Sequence, residues 1–465
     1  MIDVEQRHQT VANVIPQRLL SAHGGSACFI EQLCITCAPE AARLWGIYMT
    51  ALAHPWLRQA DLARIAGQVG TPAFVYSEAQ FRKNLGRVRD AAAAAGLGDR
   101  VELYIPFFPN SNPHVLAPLK EMDGVGVLVQ LPSEYRLLRE FGFEKFIVSP
   151  GHVSDDEIAF WDRTGNPTFL ASLDEVAYSL RTEAPTISVR IDSLDSGKPG
   201  IKFGELDQLA SLLEEYDRDL EGLEVYCGSG NSLEDMVGIV EQVFSIYLKY
   251  FPTARSINFA GGHGFDYDAW DESEKHFDWQ EYFARIADSA KRMNIPQDVK
   301  LLFEPARDVL ADTGVLLLSV ERSLITTPVS NILVTDGCRM LMPSAQLRDR
   351  NHNVLFLDSS MQVIRSETTT SAAVRGRTIL RNDYILPREV AVPDGTGADS
   401  HMVILDVGAY CATQHMEFLN VPPAAEVLVA ADGVIQLIST PGDERDKWRN
   451  LLTEKQSLDG LSAAA

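Results

Sequence analysis

Short apolar segments alternate with amphipathic segments along the middle of the chain. The amphipathic segments carry apolar residues at helical spacing, as in Pro132–Phe141, Asp207–Tyr216 and Leu233–Tyr250. Eight apolar segments, with the length and composition of buried strands, are Leu103–Phe107, Val125–Val129, Phe146–Val148, Thr168–Ala171, Ile187–Ile191, Leu223–Cys227, Ile257–Phe259 and Leu301–Phe303. Eight strands that alternate with helices over about 220 residues predict a (β/α)8 TIM barrel. An open doubly wound sheet is the alternative, but it rarely needs eight consecutive βα units.

After Thr313 the helical spacing largely stops, and strand-like segments are joined by turns rich in Pro, Gly and Asp. The predicted strands are Val315–Val320, Val329–Thr335, Val354–Phe356, Met402–Leu405 and Glu426–Ala430. They predict a C-terminal antiparallel β-domain. Thr71–Tyr76 is a further predicted strand, which we assign to the same domain.

These patterns divide the chain into five parts. Residues 1–70 are predicted to be a helical N-terminal extension, with helices over Ala41–Leu57 and Gln59–Val69 and a break at Pro55. Residues 71–77 form the strand that joins the β-domain, residues 78–313 the barrel, residues 314–450 the β-domain and residues 451–465 a tail.

Composition excludes several classes of protein. The 465 residues are 46% hydrophobic and 23% charged, as in globular proteins, and contain no apolar run long enough to cross a membrane. The net charge of -23 repels phosphate backbones, so nucleic acid is not an expected partner. Residues 1–20 lack the apolar core of a signal peptide, which predicts a cytoplasmic protein.

Six cysteines do not form a disulfide framework in a chain of this length. Cys34 and Cys37 have the spacing of a zinc-binding pair, with Cys28 nearby, but no second pair follows. Because the neighbouring residues are apolar, we interpret the three as buried thiols and predict no metal site.

Two motifs follow the last two predicted barrel strands. Ala260-Gly261-Gly262-His263-Gly264 follows the seventh strand, and glycines there allow backbone N–H groups to approach a phosphate. Glu304-Pro305-Ala306-Arg307 ends the eighth strand. Loops after strands 7 and 8 often bind phosphate in this fold, whereas a simple turn or a surface ion pair is the alternative.

Several motifs, in order along the chain, resemble those of the fold-type III pyridoxal-phosphate decarboxylases, the family of diaminopimelate and ornithine decarboxylases. They are Tyr104–Pro113, Lys202-Phe203-Gly204, Cys227-Gly228-Ser229, Gly261-Gly262, Glu304-Pro305-Ala306-Arg307, Asp336-Gly337 and Gly408-Ala409-Tyr410. The resemblance covers roughly residues 70–445 and implies a barrel with a β-domain, a pyridoxal-phosphate site, an amino-acid substrate and a homodimer.

The resemblance also implies roles for individual residues. Gly261, Gly262, Ser229, Arg307 and Tyr410 would lie at the phosphate. Glu304 would pair with the pyridine nitrogen, because a carboxylate keeps that nitrogen protonated. Asp336 would lie on the substrate side.

Three functional residues of the family are replaced. Alignment on Asn110–Pro113 places Phe108 where the family has its Schiff-base lysine, and counting from Tyr104 places Phe107 there. Tyr226 replaces a histidine that stacks on the cofactor. The family motif Cys-Glu-Ser-Gly-Asp becomes Ile379-Leu380-Arg381-Asn382-Asp383, which keeps only Asp383.

Other residues are candidates for the missing chemistry. Lys198 and Lys202 follow the fifth strand, where a displaced lysine would face the site, although loop charges are usually solvated. His152, His263 and His415 lie near predicted loop ends and are candidate bases, although a lone histidine is more often structural. Tyr226 is a candidate for stacking on a ligand and donating a hydrogen bond.

Three functions are consistent with this pattern. The first is a decarboxylase-like lyase that binds pyridoxal phosphate non-covalently, or a related phosphorylated ligand, and acts on an amino-acid-like substrate without the lysine. The second is an inactive regulatory or scaffold homologue that dimerises with itself or with an active paralogue. The third is cofactor-free chemistry in the same pocket with His263 or Asp336.

Overall fold

The computed structural model describes residues 54–192, 197–226, 228–443 and 445–451. Two sequence predictions concern residues outside these ranges. The cysteines Cys28, Cys34 and Cys37 lie wholly outside them, and the predicted helix over Ala41–Leu57 lies largely outside them. Within the described residues, no helix has both the length and the apolar character needed to span a membrane.

Strands and helices alternate through the first part of the described chain. The strands are β1 (Ala73–Ser77), β2 (Val101–Pro106), β3 (Val125–Val129), β4 (Phe146–Val148), β5 (Phe169–Leu170), β6 (Ser188–Asp192), β7 (Ile201–Lys202), β8 (Gly222–Val225), β9 (Ser256–Asn258), β10 (Lys300–Phe303), β11 (Gly314–Thr326), β12 (Asn331–Thr335), β13 (Val354–Leu357), β14 (Thr369–Arg375), β15 (Val390–Pro393), β16 (His401–Ile404), β17 (Ala425–Val429) and β18 (Ile435–Ser439). The α-helices are α1 (Gln59–Gln68), α2 (Glu78–Ala94), α3 (Pro113–Leu116), α4 (Pro132–Glu140), α5 (Asp155–Thr164), α6 (Leu173–Arg181), α7 (Leu206–Glu215), α8 (Leu233–Tyr250), α9 (Glu272–Lys275), α10 (Trp279–Arg292), α11 (Arg307–Leu310) and α12 (Pro343–Leu347).

Eight parallel strands form the barrel, in the order β4-β3-β2-β10-β9-β8-β6-β5. A parallel bridge between Val148 and Thr168 joins β4 to β5 and closes the ring. All eight predicted apolar segments coincide with these strands. The predicted (β/α)8 barrel is therefore confirmed.

Side chains of the barrel strands alternate between two cores. Tyr104, Leu128 and Phe169 pack inside the barrel, and Phe108 packs against this inner cluster. Leu103 and Phe107 belong to the outer core, between the barrel and its helices. Because successive side chains of a strand point to opposite faces, the residues on either side of Phe107 face the barrel interior.

Local signals in the sequence explain where several barrel helices begin. Ser154, Ser172 and Ser232 are N-caps of α5, α6 and α8, and each hydroxyl accepts a hydrogen bond from the backbone three residues later. In the same three helices, an acidic side chain three residues later bonds back to the cap residue. These capping boxes satisfy backbone groups that a helix end leaves without partners.

The β-domain is a second, mostly antiparallel sheet. Its order is β15-β14-β12-β11-β1-β17-β18, and β16 pairs with β11 and β13. The N-terminal strand β1 lies between β11, to which it is antiparallel, and β17, to which it is parallel. The predicted β-domain is confirmed, and its parallel pairs β1–β17 and β12–β14 are the exceptions to the antiparallel pattern.

Candidate functional site

A cavity of about 400 Å³ lies at the carboxyl ends of the barrel strands, where the β-domain covers them. The structure brings into its lining eight residues at positions where the resemblance places a functional residue: Phe108, Tyr226, Ser229, Gly261, Gly262, Glu304, Arg307 and Tyr410. Lys198, the candidate for a displaced lysine, also lines it. Active sites of (β/α)8 enzymes occupy this end of the barrel. We therefore take this cavity, called the mouth cavity below, as the candidate site.

A larger cavity of about 850 Å³ lies outside the barrel, between α2 and the region from Asp271 to Gln280. Its lining includes Lys83, Glu272 and His276. It is not at the strand ends and holds none of the eight residues, so its size alone does not make it the candidate site.

Arg307 marks one end of the mouth cavity. Its Nη1 lies 3.5 Å from Ser229 Oγ, and its guanidinium carbon lies 5.2 Å from the centre of the Tyr410 ring. The buried Nε of Arg307 has no hydrogen-bond partner within the described chain. A buried donor without a partner is costly, which favours an anionic ligand at this end.

Two glycines allow three loops to meet beside Arg307. A Cβ atom on Gly261 would lie 2.6 Å from the backbone oxygen of Glu304. A Cβ atom on Gly262 would lie 2.2 Å from the backbone oxygen of Gly228, and Gly262 has a φ of +101°. Only glycine fits both positions, so the loops after β8, β9 and β10 form a tight backbone cradle.

Glu304 is buried, with 7% of its surface exposed, and its Oε1 accepts a hydrogen bond of 2.7 Å from Asn258 Nδ2. Burial raises the pKa of Glu304 well above its ordinary value, and the charge of Glu224 raises it further. Both effects favour the protonated form of Glu304 relative to a carboxyl group in water.

A buried ion pair lies on the same side of the cavity. Arg190 Nε is 3.3 Å from Glu224 Oε1, and Glu224 is 1% exposed. Burial raises the pKa of Glu224, and Arg190 opposes that rise. This pair belongs to none of the motifs recognised in the sequence. Its signal was a charged residue in the middle of each of two buried strands, Arg190 in β6 and Glu224 in β8.

Two cations lie against the ring of Tyr226. The guanidinium carbon of Arg190 is 5.3 Å from the ring centre, and the ammonium nitrogen of Lys198 is 4.7 Å from it. Burial lowers the pKa of Lys198, and the charges of Arg190 and Arg348 lower it further. Lys202, the other candidate lysine, forms an ion pair of 2.6 Å with Asp192 and is not part of the lining.

The structure distinguishes the two residues that could stand at the lysine position. Phe108 lines the mouth cavity, and its ring centre lies 6.1 Å from that of Tyr410. Phe107 is 3% exposed and packs in the outer core. The residue that faces the cavity is therefore Phe108, which has no amine.

Other candidate residues lie away from the mouth cavity, as far as the described residues define its lining. His263 is buried among aromatic rings, 4.1 Å from Trp279 between ring centres, and burial lowers its pKa to about 3. Asp383 accepts hydrogen bonds from Arg339 N at 3.0 Å and Thr378 Oγ1 at 2.6 Å, so it holds a turn. Asp336 accepts a bond of 2.9 Å from Ser319 N, and burial raises its pKa.

Three further candidate positions also lie outside the lining: His152, His415 and Ile379. His152 is 67% exposed and 3.3 Å from Glu175. Burial lowers the pKa of His415. Ile379, where the family has its cysteine, is 91% exposed. Cys227 lies outside the described residues.

Known proteins with similar sequences include diaminopimelate decarboxylases. The enzyme of Zymomonas mobilis is 25% identical over 429 residues, which cover 86% of this chain and 96% of that protein. The enzyme of Methanothermobacter thermautotrophicus is 23% identical over 435 residues, 86% of this chain and 95% of that protein. No protein-family model matches the chain.

Solved structures with the same fold include diaminopimelate decarboxylase of M. jannaschii in complex with L-lysine. Its TM-score is 0.74 at 17% identity, and the match covers 84% of this chain and 94% of that one. Lysine/ornithine decarboxylase of Vibrio vulnificus in complex with cadaverine has a TM-score of 0.67 at 16% identity. That match covers 80% of this chain and 98% of that one. Both comparisons confirm the predicted resemblance, and at these identities the structures show the shared fold.

Proposed function

We propose that this relative of the diaminopimelate decarboxylases binds pyridoxal phosphate, or a closely related phosphorylated ligand, non-covalently in the mouth cavity. We further propose that it acts on an amino-acid-like substrate without a lysine anchor. One observation carries the proposal. A single cavity of about 400 Å³ unites Arg307, the Gly261-Gly262 cradle and Tyr410 with the buried carboxyl group of Glu304.

The phosphate end of the site fits the ligand. The Arg307 guanidinium has a buried Nε without a partner in the described chain, and Ser229 Oγ lies beside its Nη1. Arginine binds phosphate through charge-assisted hydrogen bonds, which are stronger than neutral ones. The glycine cradle brings backbone within reach of the same place. These groups would hold the phosphate.

The ring end fits as well. Glu304 would pair with the pyridine nitrogen, and Asn258 keeps its carboxyl group in place through the 2.7 Å hydrogen bond. Because burial raises the pKa of Glu304, its carboxyl group retains a proton more readily and could share that proton with a ring nitrogen. When bound, pyridoxal phosphate supplies an electron sink for the carbon that loses a substituent.

At the position where the family has its Schiff-base lysine, this chain has no group that could bind the cofactor covalently. Phe108 offers an aromatic ring there, which can pack against a ligand but cannot form a bond to an aldehyde. Among the residues that the structure describes, Lys198 is the lysine that lines the cavity, and its ammonium group lies over the Tyr226 ring. The proposed mechanism therefore relies on non-covalent binding.

A non-catalytic homologue is the second candidate, and Phe108 is the observation that favours it. Such a protein would retain the binding cavity and release no carbon dioxide from any amino acid. It would act as a regulatory or scaffold subunit that dimerises with itself or with an active paralogue. Turnover separates the two candidates, because ligand binding is common to both.

Binding of pyridoxal phosphate, measured by equilibrium dialysis, tests the proposal. We expect one equivalent per chain and an affinity about 10 to 100-fold lower in Arg307→Gln, since hydrogen bonds to charged groups contribute about 1.5–3 kcal/mol. Arg89→Gln is the matched control, because Arg89 is exposed, lies outside the cavity lining and belongs to none of the motifs described above. Equal affinity of Arg307→Gln and the wild type would refute the proposed phosphate site.

A further inference from the structure

A layer of polar side chains crosses neighbouring strands of the barrel beside the mouth cavity. Arg190 of β6 pairs in register with Glu224 of β8, and Glu224 pairs in register with Asn258 of β9. Asn258 is fully buried and donates its 2.7 Å hydrogen bond to Glu304, which follows β10. The strands β6, β8, β9 and β10 are consecutive in the barrel, so this layer connects Glu224 to the carboxyl group of Glu304.

The two carboxyl groups of the layer have different neighbours. Glu224 Oε1 lies 3.3 Å from Nε of the Arg190 guanidinium. Glu304 Oε1 instead accepts its hydrogen bond from the neutral amide of Asn258. A full positive charge stabilises an ionised carboxyl group more strongly than a neutral donor does. We therefore expect the negative charge of the layer on Glu224.

The second oxygen of Glu224 is also informative. Glu224 Oε2 is buried and has no hydrogen-bond partner within the described residues. Its partial charge is therefore not compensated by a local donor, and a buried charge acts over a longer distance than one in water. Because Glu304 lines the same cavity, it is exposed to this charge.

Arg190 is the cation of the layer, and it faces two buried carboxyl groups. If both were ionised, the layer would carry a net negative charge with little water around it, which is costly. Burial raises the pKa of Glu304 and the charge of Glu224 raises it further, while Asn258 and Arg190 oppose the rise. The other charged side chains of the described lining are Lys198, Arg307, Arg348 and Arg350. Of these, Lys198 lies over the Tyr226 ring and Arg307 lies at the phosphate end.

We propose that Glu224 is a positioning residue for the ring end of the site. Its negative charge keeps a proton on Glu304 in the ligand-free protein, and on the contact between Glu304 and the ring nitrogen when pyridoxal phosphate is bound. Glu224 acts through Glu304 and does not touch the reacting atoms. This inference rests on the proposed function for the identity of the ligand, and it deepens that function because a protonated ring nitrogen makes the bound ring a stronger electron sink.

Pyridoxine 5′-phosphate is the probe, because it has no aldehyde that can react with an amine. Its absorption band changes when the ring nitrogen loses its proton, so a pH titration of the saturated complex gives the pH of proton loss. The wild-type complex should lose the proton at a higher pH than the free ligand. Glu224→Gln keeps the shape without the charge and should lower that pH by at least about one unit, as for a removed neighbouring charge. Glu140→Gln, at an exposed position outside the lining, should leave it unchanged.

The ligand-free protein provides a measurement that does not depend on the ligand. Glu304→Gln should gain stability relative to its parent from pH 5 to pH 8 in urea unfolding. In the Glu224→Gln background this gain should be smaller, by about tenfold in the folding equilibrium constant, because one pKa unit is a factor of ten. Glu224→Asp keeps the charge and should keep most of the gain. Circular dichroism checks that each variant is folded.

Three results would overturn the inference. They are an equal pH of proton loss in the wild type and Glu224→Gln, a wild-type complex that loses its proton at or below the pH of the free ligand, and an unchanged gain of Glu304→Gln in the Glu224→Gln background. The second result needs no variant, so it is decisive even if Glu224→Gln does not fold.

The two measurements separate this inference from the proposed function. If pyridoxine 5′-phosphate does not bind but the gain of Glu304→Gln shrinks in the Glu224→Gln background, the proposed function fails and the effect of Glu224 on Glu304 stands. If the ligand binds and Glu224→Gln changes neither measurement, only the inference fails. If the ligand binds and both measurements change as expected, both are supported.

Discussion

The rings of Phe108 and Tyr410 lie next to each other in the lining of the mouth cavity, with 6.1 Å between their centres and an angle of 50° between their planes. Tyr410 also lies against the Arg307 guanidinium, 5.2 Å from ring centre to guanidinium carbon. Phe108 therefore belongs to the wall that carries the phosphate-end residues. The cavity therefore has a phenyl ring, and not an amine, at position 108 beside the phosphate-end residues.

Restoring the amine tests how much of the site is retained. Phe108→Lys should form a covalent bond to pyridoxal phosphate, because the phosphate-end groups hold the ligand in the same cavity. Borohydride reduction followed by peptide mass mapping should find the label on residue 108 of the variant.

Phe108→Met is the control, since it changes the side chain without adding an amine. Labelling of Lys198 in the wild type would instead assign the anchor to the loop after β6. A Phe108→Lys protein that folds, yet carries no label at residue 108, would show that the cavity does not hold the aldehyde near this position.

Glu304 should make the folded protein less stable as the pH rises. A surface carboxylate whose pKa is lowered on folding has the opposite effect. Its pKa is raised in the folded state, so the folded protein binds more protons than the unfolded chain above pH 4.5. Its contribution is fully present below that pH and is lost as the pH rises. Glu304→Gln keeps an oxygen for Asn258 and cannot ionise, so its stability relative to the wild type should increase from pH 5 to pH 8.

Urea unfolding of the ligand-free proteins at these two pH values measures the effect. Glu304→Ala serves as the comparison, because it leaves the buried Asn258 amide without its acceptor and should be about 1–3 kcal/mol less stable than Glu304→Gln at both pH values. A Glu304→Gln variant that loses stability relative to the wild type as the pH rises would contradict the raised pKa.

His276 should make stability depend on pH in a different range. Its Nδ1 is 3.1 Å from Asp308 and its Nε2 is 3.2 Å from Asp312. Burial opposes the charge of His276, but the two carboxylates outweigh burial and raise its pKa to about 9. The stabilisation is therefore complete below the unfolded pKa of 6.5 and is lost as the pH rises through about 9.

His276→Gln removes this titration and should be destabilised most at or below pH 6.5, with the difference from the wild type shrinking towards pH 10. The upper limit of the effect is about 3 kcal/mol, from the size of the pKa change. Chemical unfolding at several pH values measures it. A difference that does not depend on pH would show that His276 is not a charged partner of the two aspartates.

Gly262 should tolerate no side chain. Gly262→Ala would place a methyl group 2.2 Å from the backbone oxygen of Gly228 at a φ of +101°, so the loop must shift. We expect weaker binding of pyridoxal phosphate and a loss of stability of about 1–3 kcal/mol, typical of strained backbone.

Gly238→Ala is the matched control for this change. Gly238 lies inside helix α8, where a Cβ atom would meet nothing within 4 Å. Alanine there should leave binding unchanged and raise stability by up to about 1 kcal/mol, because alanine favours helix over glycine. Thermal unfolding and dialysis together check both variants. Equal binding by Gly262→Ala and the wild type would contradict the cradle.

The barrel was predictable because its strands are short apolar segments at regular intervals, each followed by a helical segment. It was also predictable that Ser229, Gly261 and Arg307 would meet in one cavity, since the ends of parallel strands meet at one end of a barrel. Strands such as β14 and β18, with several exposed or half-buried residues, were not identified in the sequence. Their pattern lacks the strong apolar signal of a buried strand.

Other features depend on tertiary packing and were not readable from the sequence. Arg348 and Arg350 reach the cavity from the β-domain, so their sequence positions give no hint of the barrel mouth. His263 stands next to the glycine motif, yet its side chain packs among aromatic rings. Asp383 is the retained acid of a family motif and holds a turn in this chain.

The central claim is that this cavity binds pyridoxal phosphate without a covalent bond. The most direct measurement combines binding stoichiometry with intact-protein mass after borohydride reduction of the wild type. We predict one equivalent of pyridoxal phosphate bound per chain, recovered unmodified on unfolding, and no mass added by reduction. An absence of binding, or a full equivalent reduced onto one lysine of the wild-type chain, would contradict the claim.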